Sequence, residues 1–152
     1  MIYLYIFLIL STFILIYMRF EASFVELTEV CFSKSKKGLT ILQLSDIHMK
    51  FLKVSATKTK EIIDKQNPDI IIMSGDYIET ANDVKNFLNF ISVIKGRRPI
   101  YLCLGNHDYG AFDRNPEGLQ NLMSQIEKLG VNVIHNKSVC IEKNNKKYNI
   151  IG

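Results

Sequence analysis

Three apolar runs of the sequence each end abruptly in polar side chains. The runs are residues 39–44, 69–73 and 100–104. Short runs that are apolar on both faces are typical of strands buried inside a parallel sheet. Asp46, Asp76 and Asn106 follow the runs at equal intervals of 30 residues, and a strand–helix–strand unit takes about 30 residues. The spacing therefore predicts three neighbouring parallel strands that bring these side chains to one edge of a sheet.

Helical patterns separate these strands. The predicted helices cover residues 57–66, a stretch from about 84 to 95, and a stretch that starts at Asn115-Pro116 with proline in its first turn. A fourth strand is predicted at residues 131–134, and strands at 139–142 and 148–151 flank a hairpin-type connection. The alternation predicts an α/β domain with a largely parallel sheet.

The first 20 residues are predicted to form a transmembrane anchor. Residues 2–18 carry no charge, and Arg19 closes the run. A span needs roughly 17–25 apolar residues. A signal-peptide core and a buried core helix are the alternatives, but no basic residue precedes the run and it is apolar on every face. The side of the membrane on which the remainder lies stays open, because the bias of the flanking lysines is weak.

Residues 21–38 are predicted to form an N-terminal strand, over residues 24–32, and a turn at Lys34–Gly38. Residues 39–152 then form the N-terminal part of a single domain. Their last run, Tyr148–Ile151, starts a strand pattern and breaks off at Gly152. We expect the chain to be the first part of a longer protein.

Composition adds little to this picture. The 152 residues are 47% apolar and 22% charged, with a net charge of +4, which is typical of a folded chain. Lysines concentrate near residues 34–37 and 143–147, and both clusters are interpreted as solvated turns rather than an anionic-lipid or nucleic-acid patch. No nucleic-acid binding is indicated.

The polar residues at the strand ends are suited to metal binding. Asp46 and His48 are two apart, so an extended backbone puts both on one face. A carboxylate with an imidazole favours a borderline divalent ion such as Mn²⁺, Fe²⁺ or Zn²⁺. The two oxygens of Asp76 can bridge two ions, and Asn106 offers an amide oxygen. Each element alone is more often a turn or a helix cap; the hypothesis depends on their joint occurrence.

The two residues after Asn106 are candidate catalytic groups. His107 can stay off the metal and act as a proton donor. Asp108 can orient that imidazole and raise its pKa.

Asp46-Ile47-His48, Gly75-Asp76-Tyr77-Ile78-Glu79 and Gly105-Asn106-His107-Asp108 resemble the first three motifs of the calcineurin-like metallophosphoesterases. The apolar N-terminus resembles the bacterial membrane-associated, YkuE-like branch. The resemblance covers residues 21–152 and implies the first half of a layered α/β/β/α fold. It implies two divalent metal ions, with Asp46 and His48 on the first, Asp76 bridging and Asn106 on the second. It also implies that His107 contacts the phosphate and pairs with Asp108.

The reaction that this resemblance implies is hydrolysis of phosphate mono- or diesters. Two ions about 3.5–4 Å apart would clamp the phosphate and lower the pKa of a water between them, and the anchor makes a lipid-linked substrate plausible. The family's later Gly-His and Gly-His-X-His motifs are not in these residues, and His135 is interpreted as an ordinary surface residue. A membrane-tethered, metal-binding but catalytically incomplete fragment is therefore the alternative. A receiver-like signalling domain, which also collects Asp at strand ends, has no need of the histidines.

Overall fold

The computed structural model of the chain describes residues 1–21, 23–32 and 38–152. Two compact units, residues 1–31 and 32–152, make up the chain. The first unit consists mainly of helix α1, Ile2–Glu21, in which none of the described side chains is buried. By its length and composition α1 could cross a membrane, although a signal sequence shares both properties.

The predicted N-terminal strand is wrong. Residues 24–32 have no regular secondary structure, and apolar side chains such as Phe24, Leu27 and Phe32 are exposed. A strand is stable only when a neighbour takes up its backbone hydrogen bonds, and none of the described strands pairs with this segment. The predicted turn at Lys34–Gly38 lies almost wholly outside the described residues.

The second unit is built on a parallel sheet of four strands in the order β1-β2-β3-β4. The strands are β1 (Ile41–Leu44), β2 (Ile70–Ser74), β3 (Ile100–Cys103) and β4 (Asn132–Val133). Leu44 lies opposite Met73, and Met73 lies opposite Leu102. The three predicted strands therefore end level with one another, which confirms that their following residues reach one edge of the sheet.

Helices connect these strands, three of them at positions close to those predicted, whereas α4 was not predicted. They are α2 (Ala56–Gln66), α3 (Val84–Ile94) after a 3₁₀ turn at Ala81–Asp83, α4 (Asn106–Gly110) and α5 (Pro116–Lys128). The side chain of Ser55 accepts from Lys58 N to begin α2, and Asn67 ends it in the left-handed conformation. Asn115 caps α5, with Pro116 in its first turn.

The sheet has an apolar layer on each face. On one face, the fully buried Ile71, Met73 and Leu102 pack with side chains of α2, α3 and α5. On the other face, Ile70 and Tyr101 pack against an antiparallel hairpin. Its strands are β5 (Ser138–Lys143) and β6 (Lys146–Ile151). The described residues thus form α, β and β layers, in agreement with the predicted α/β class.

Asp69 joins the sheet to the hairpin. Its carboxylate accepts from Thr40 N at 2.7 Å and pairs with the ammonium of Lys143 on β5. Partial burial raises the pKa of the Asp69 carboxyl, but the bonds from Lys143 and Thr40 outweigh burial, so its pKa lies below the ordinary value. The ionised form therefore stabilises the folded state.

We expect Asp69→Asn to lower the free energy of unfolding by at most about 1 kcal/mol at neutral pH, because the pair is partly exposed and screened. A group whose pKa is lowered on folding stabilises above its unfolded pKa, so the difference from the parent should shrink as pH falls below about 4. Urea unfolding at several pH values measures it. A difference that stays constant into acid would contradict this role of the charge.

Candidate metal centre

The loops after β1 and β2 continue the sheet's pairing beyond the strands. Asp46 N donates to Gly75 O at 3.1 Å, His48 N to Asp76 O at 3.0 Å, and Met49 N to Tyr77 O at 2.8 Å. Successive backbone bonds of this kind fix the register of one loop against the other. The two predicted ligands of the first loop are consequently held against the predicted ligand of the second.

Asp46, His48 and Asp76 lie together as the sequence predicted. One carboxylate oxygen of each aspartate and one ring nitrogen of His48 all lie within 4.8 Å of one another. His48 and Asp76 are half-buried, and Asp46 is exposed to solvent. Two carboxylates and an imidazole that converge at this distance suit a borderline divalent cation. The donor set therefore fits the metal that the sequence indicates.

All three residues adopt a left-handed backbone. Their φ angles are +52° at Asp46, +41° at His48 and +59° at Asp76. Such angles are uncommon outside glycine, although Asp and His tolerate them better than most residues. Strained backbone of this kind persists only where surrounding contacts hold it, and it concentrates at functional sites.

Two glycines allow the second and third loops to touch. A Cβ at Gly75, whose φ is +100°, would lie 2.7 Å from Gly105 Cα, and a Cβ at Gly105 would lie 2.6 Å from Asp76 N. Either side chain would force the loops apart. Across this contact, His107 N donates to Asp76 Oδ1 at 3.0 Å, which orients a predicted metal ligand.

Asp108 does not pair with His107, which corrects the prediction. Its side chain is fully buried, and its two oxygens accept from four backbone N–H groups at 2.8–3.0 Å. The donors are Asp76, Tyr77, Ile78 and Gly105. Burial raises the pKa of the Asp108 carboxyl, while the four N–H groups favour its ionised form. Asp108 therefore ties the loop after β2 to the loop after β3.

Glu79 takes the position next to His107 that was expected of Asp108. Its Oε1 lies 2.5 Å from His48 Nδ1 and its Oε2 lies 3.1 Å from His107 Nδ1. The two rings are nearly perpendicular, with centroids 5.0 Å apart. Partial burial raises the pKa of the Glu79 carboxyl, but the bonds with both histidines outweigh it, so the pKa lies below its ordinary value. Glu79, His48 and His107 form a second group able to hold a cation.

Sequence reasoning assigned no role to Glu79 or Tyr77. The signal for Glu79 was its place as the last residue of Gly75-Asp76-Tyr77-Ile78-Glu79. The buried hydroxyl of Tyr77 accepts from Gly75 N at 2.7 Å and donates to Cys103 O at 2.8 Å. Burial raises the pKa of this phenol, so it remains a donor that braces the same two loops.

The remaining predicted site residues, Asn106 and His107, lie at the start of α4, and His135 follows β4. Asn106 is the first residue of α4 and is exposed, as is His107 directly after it. His135 is exposed, and its Nδ1 lies 2.9 Å from the Tyr109 hydroxyl. The edge of the sheet thus presents three carboxylates, an amide and two imidazoles, which can together bind divalent cations and an oxyanion.

Comparison with known proteins identifies the domain. The family model for calcineurin-like phosphoesterases matches residues 39–150. The chain belongs to this family. Among curated phosphoesterases of the family, the uncharacterized metallophosphoesterase YkoQ of Bacillus subtilis is 30% identical over 121 residues, covering 78% of this chain and 44% of YkoQ. The UDP-2,3-diacylglucosamine pyrophosphatase LpxG of Chlamydia muridarum is 32% identical over 108 residues, covering 60% of this chain and 31% of LpxG.

A solved structure agrees at the level of the fold. The phosphopantetheinyl hydrolase PptH of Mycobacterium tuberculosis superposes with a TM-score of 0.52 at 16% identity, over 77% of this chain and 43% of that one. The chain spans less than half the length of these phosphoesterases.

Gly105→Ala should separate the loops of the metal centre. We expect overpacking to cost about 1–3 kcal/mol and the affinity for Mn²⁺ to fall about ten- to a hundredfold, because Asp76 loses its orientation. Calorimetric titration and urea unfolding measure both effects. Gly110→Ala is the matched control, since a Cβ there meets nothing within 4 Å. Equal behaviour of the two variants would contradict the close approach.

Asp108→Asn should destabilise the second unit by about 2–4 kcal/mol, because an amide nitrogen would replace one acceptor oxygen and face N–H donors. Chemical unfolding followed by circular dichroism measures the loss. The exposed Asp113 provides the control through Asp113→Asn, which should stay within about 0.5 kcal/mol of the parent. An unchanged Asp108→Asn protein would show that the four bonds are dispensable.

Proposed function

We propose that this chain is the N-terminal part of a membrane-anchored metallophosphoesterase that hydrolyses phosphate mono- or diesters with two divalent metal ions. The observation that carries the proposal is the convergence of Asp46, His48 and Asp76, whose ligand atoms lie within 4.8 Å of one another. Membership of the calcineurin-like phosphoesterase family supports the same chemistry. The apolar helix α1 and the exposed side chains along it support the anchor and the membrane-associated branch of the family.

Each residue of the edge has a role in this proposal. Asp46 and His48 would hold one ion, Asp76 would face both, and Asn106 would add an amide oxygen to the second. Bound ions supply Lewis acidity that polarises the phosphoryl group and lowers the pKa of water. The exposed His107 faces solvent beside Asp76 and would donate a proton to the leaving oxygen. Glu79, at 3.1 Å from its Nδ1, would fix the orientation of that ring.

A lipid-linked phosphate ester is the substrate class that we favour. LpxG is named for a diacylated nucleotide sugar, and it is 32% identical to this chain over 108 residues. An anchored enzyme would meet such substrates at the membrane surface.

Asp46→Asn in the full-length protein should abolish turnover of an aryl phosphate and remove bound metal together, because the amide loses the anionic charge that the cation needs. Turnover and elemental analysis of the same preparation measure both. Asp113→Asn carries the same chemical change at an exposed position outside the centre and should leave both unchanged.

The outcomes separate the two functions left open by the sequence. Metal bound at parent level with full turnover in Asp46→Asn would refute the assignment. Metal bound by the parent with no turnover of any phosphate ester would favour a tethered metal-binding module instead.

A further inference from the structure

The turn that follows His48 is firmly built. It comprises residues 49–53 and is called the tip turn here. Phe51 N and Leu52 N both donate to His48 O, at 2.7 and 3.1 Å. Met49 and Leu52 pack against the main apolar core. Two backbone bonds and two inward side chains therefore fix the direction of the residues between them.

This geometry directs an aromatic ring into solvent. Phe51 is 60% exposed, between two residues of the same turn that are packed inward. The ammonium of Lys50 lies 5.5 Å from the centroid of its ring, within the range of a cation–π contact. A lone exposed aromatic ring is common on protein surfaces, but beside basic side chains it matches the residue types that lie at a membrane interface.

The charge of the tip turn is unbalanced. From Ile47 to Lys60 there are four lysines and no acidic residue. Lys58 pairs with Glu61 and Lys60 pairs with Asp64. Lys50 and Lys53 are exposed and have no acidic partner in the described part of the chain. Two exposed lysines without an acidic partner in the described residues thus flank Phe51 in the sequence.

We propose that the tip turn docks on an anionic lipid surface, with Phe51 at the boundary between the headgroups and the acyl chains and Lys50 and Lys53 at the lipid phosphates. An aromatic ring between basic side chains matches the layered chemistry of that interface, apolar inside and anionic outside. A soluble phosphate would account for the lysines but not for the ring. The inference rests on the membrane association proposed above and adds a second contact, next to the metal centre.

Docking would place the carboxyl edge of the sheet against the bilayer. The tip turn is bonded directly to the carbonyl of His48, so a lipid at Phe51 lies beside a candidate metal ligand. A phosphate ester on a lipid headgroup would then reach the centre without leaving the membrane.

A tryptophan reporter tests the contact without turnover. The 152 residues contain no tryptophan, so Phe51→Trp reports from the tip turn alone. The chain is incorporated into lipid nanodiscs of phosphatidylcholine, with or without phosphatidylglycerol. With phosphatidylglycerol we expect a blue-shifted emission that brominated acyl chains quench. Val93→Trp on α3, at a position that is 38% exposed, is the control, and its emission should be the same with and without phosphatidylglycerol and should not be quenched by brominated chains.

The lysines are tested on the same reporter. Lys50→Ala and Lys53→Ala, each made singly in the Phe51→Trp chain, should weaken its affinity for added anionic vesicles about fivefold, the equivalent of about 1 kcal/mol for each lysine. The affinity is read from the emission shift as vesicles are titrated. Emission and quenching of Phe51→Trp that match the Val93→Trp control would overturn the proposal. A response to added vesicles by a chain that the discs do not retain would support docking while refuting the anchor. If the parent protein hydrolyses no phosphate ester while Phe51→Trp still shows the shifted and quenched emission, the proposed reaction is refuted and docking is supported.

Discussion

A buried carboxylate organises the edge of the sheet. The oxygens of Asp108 collect backbone N–H groups from its own loop and from three successive residues of the loop after β2. An unpaired buried N–H donor is costly. The position of Asp76 therefore depends on Asp108, although Asp108 itself contacts no other candidate ligand through its side chain.

The other contacts of the edge extend this arrangement. The abutting Gly75 and Gly105 bring the two loops to backbone contact, and the hydroxyl of Tyr77 bonds to both sides of it. The loop after β1 joins through three backbone bonds. Three candidate ligands with left-handed backbone are thus held in place by backbone contacts between the loops.

The meeting of the three loops could be predicted from the sequence, because strand–helix–strand units have a regular length. Asp46, Asp76 and Asn106 recur with the period of the strand–helix–strand unit, and parallel strands that end level must bring them together. The role of Asp108 could not be predicted, because its adjacency to His107 suggests that the two pair, whereas in α4 the side chain of Asp108 contacts backbone N–H groups and that of His107 contacts Glu79. The strand expected at residues 24–32 is wrong because apolar side chains on both faces of a segment do not reveal whether a partner strand exists.

Asp46, His48 and Asp76 are proposed to hold a divalent cation at the carboxyl edge of the sheet. Anomalous diffraction from crystals grown with Mn²⁺ can locate that cation. We expect an anomalous peak in contact with one oxygen of each aspartate and a ring nitrogen of His48. A peak elsewhere, or side chains of these residues that point apart with no peak among them, would contradict it.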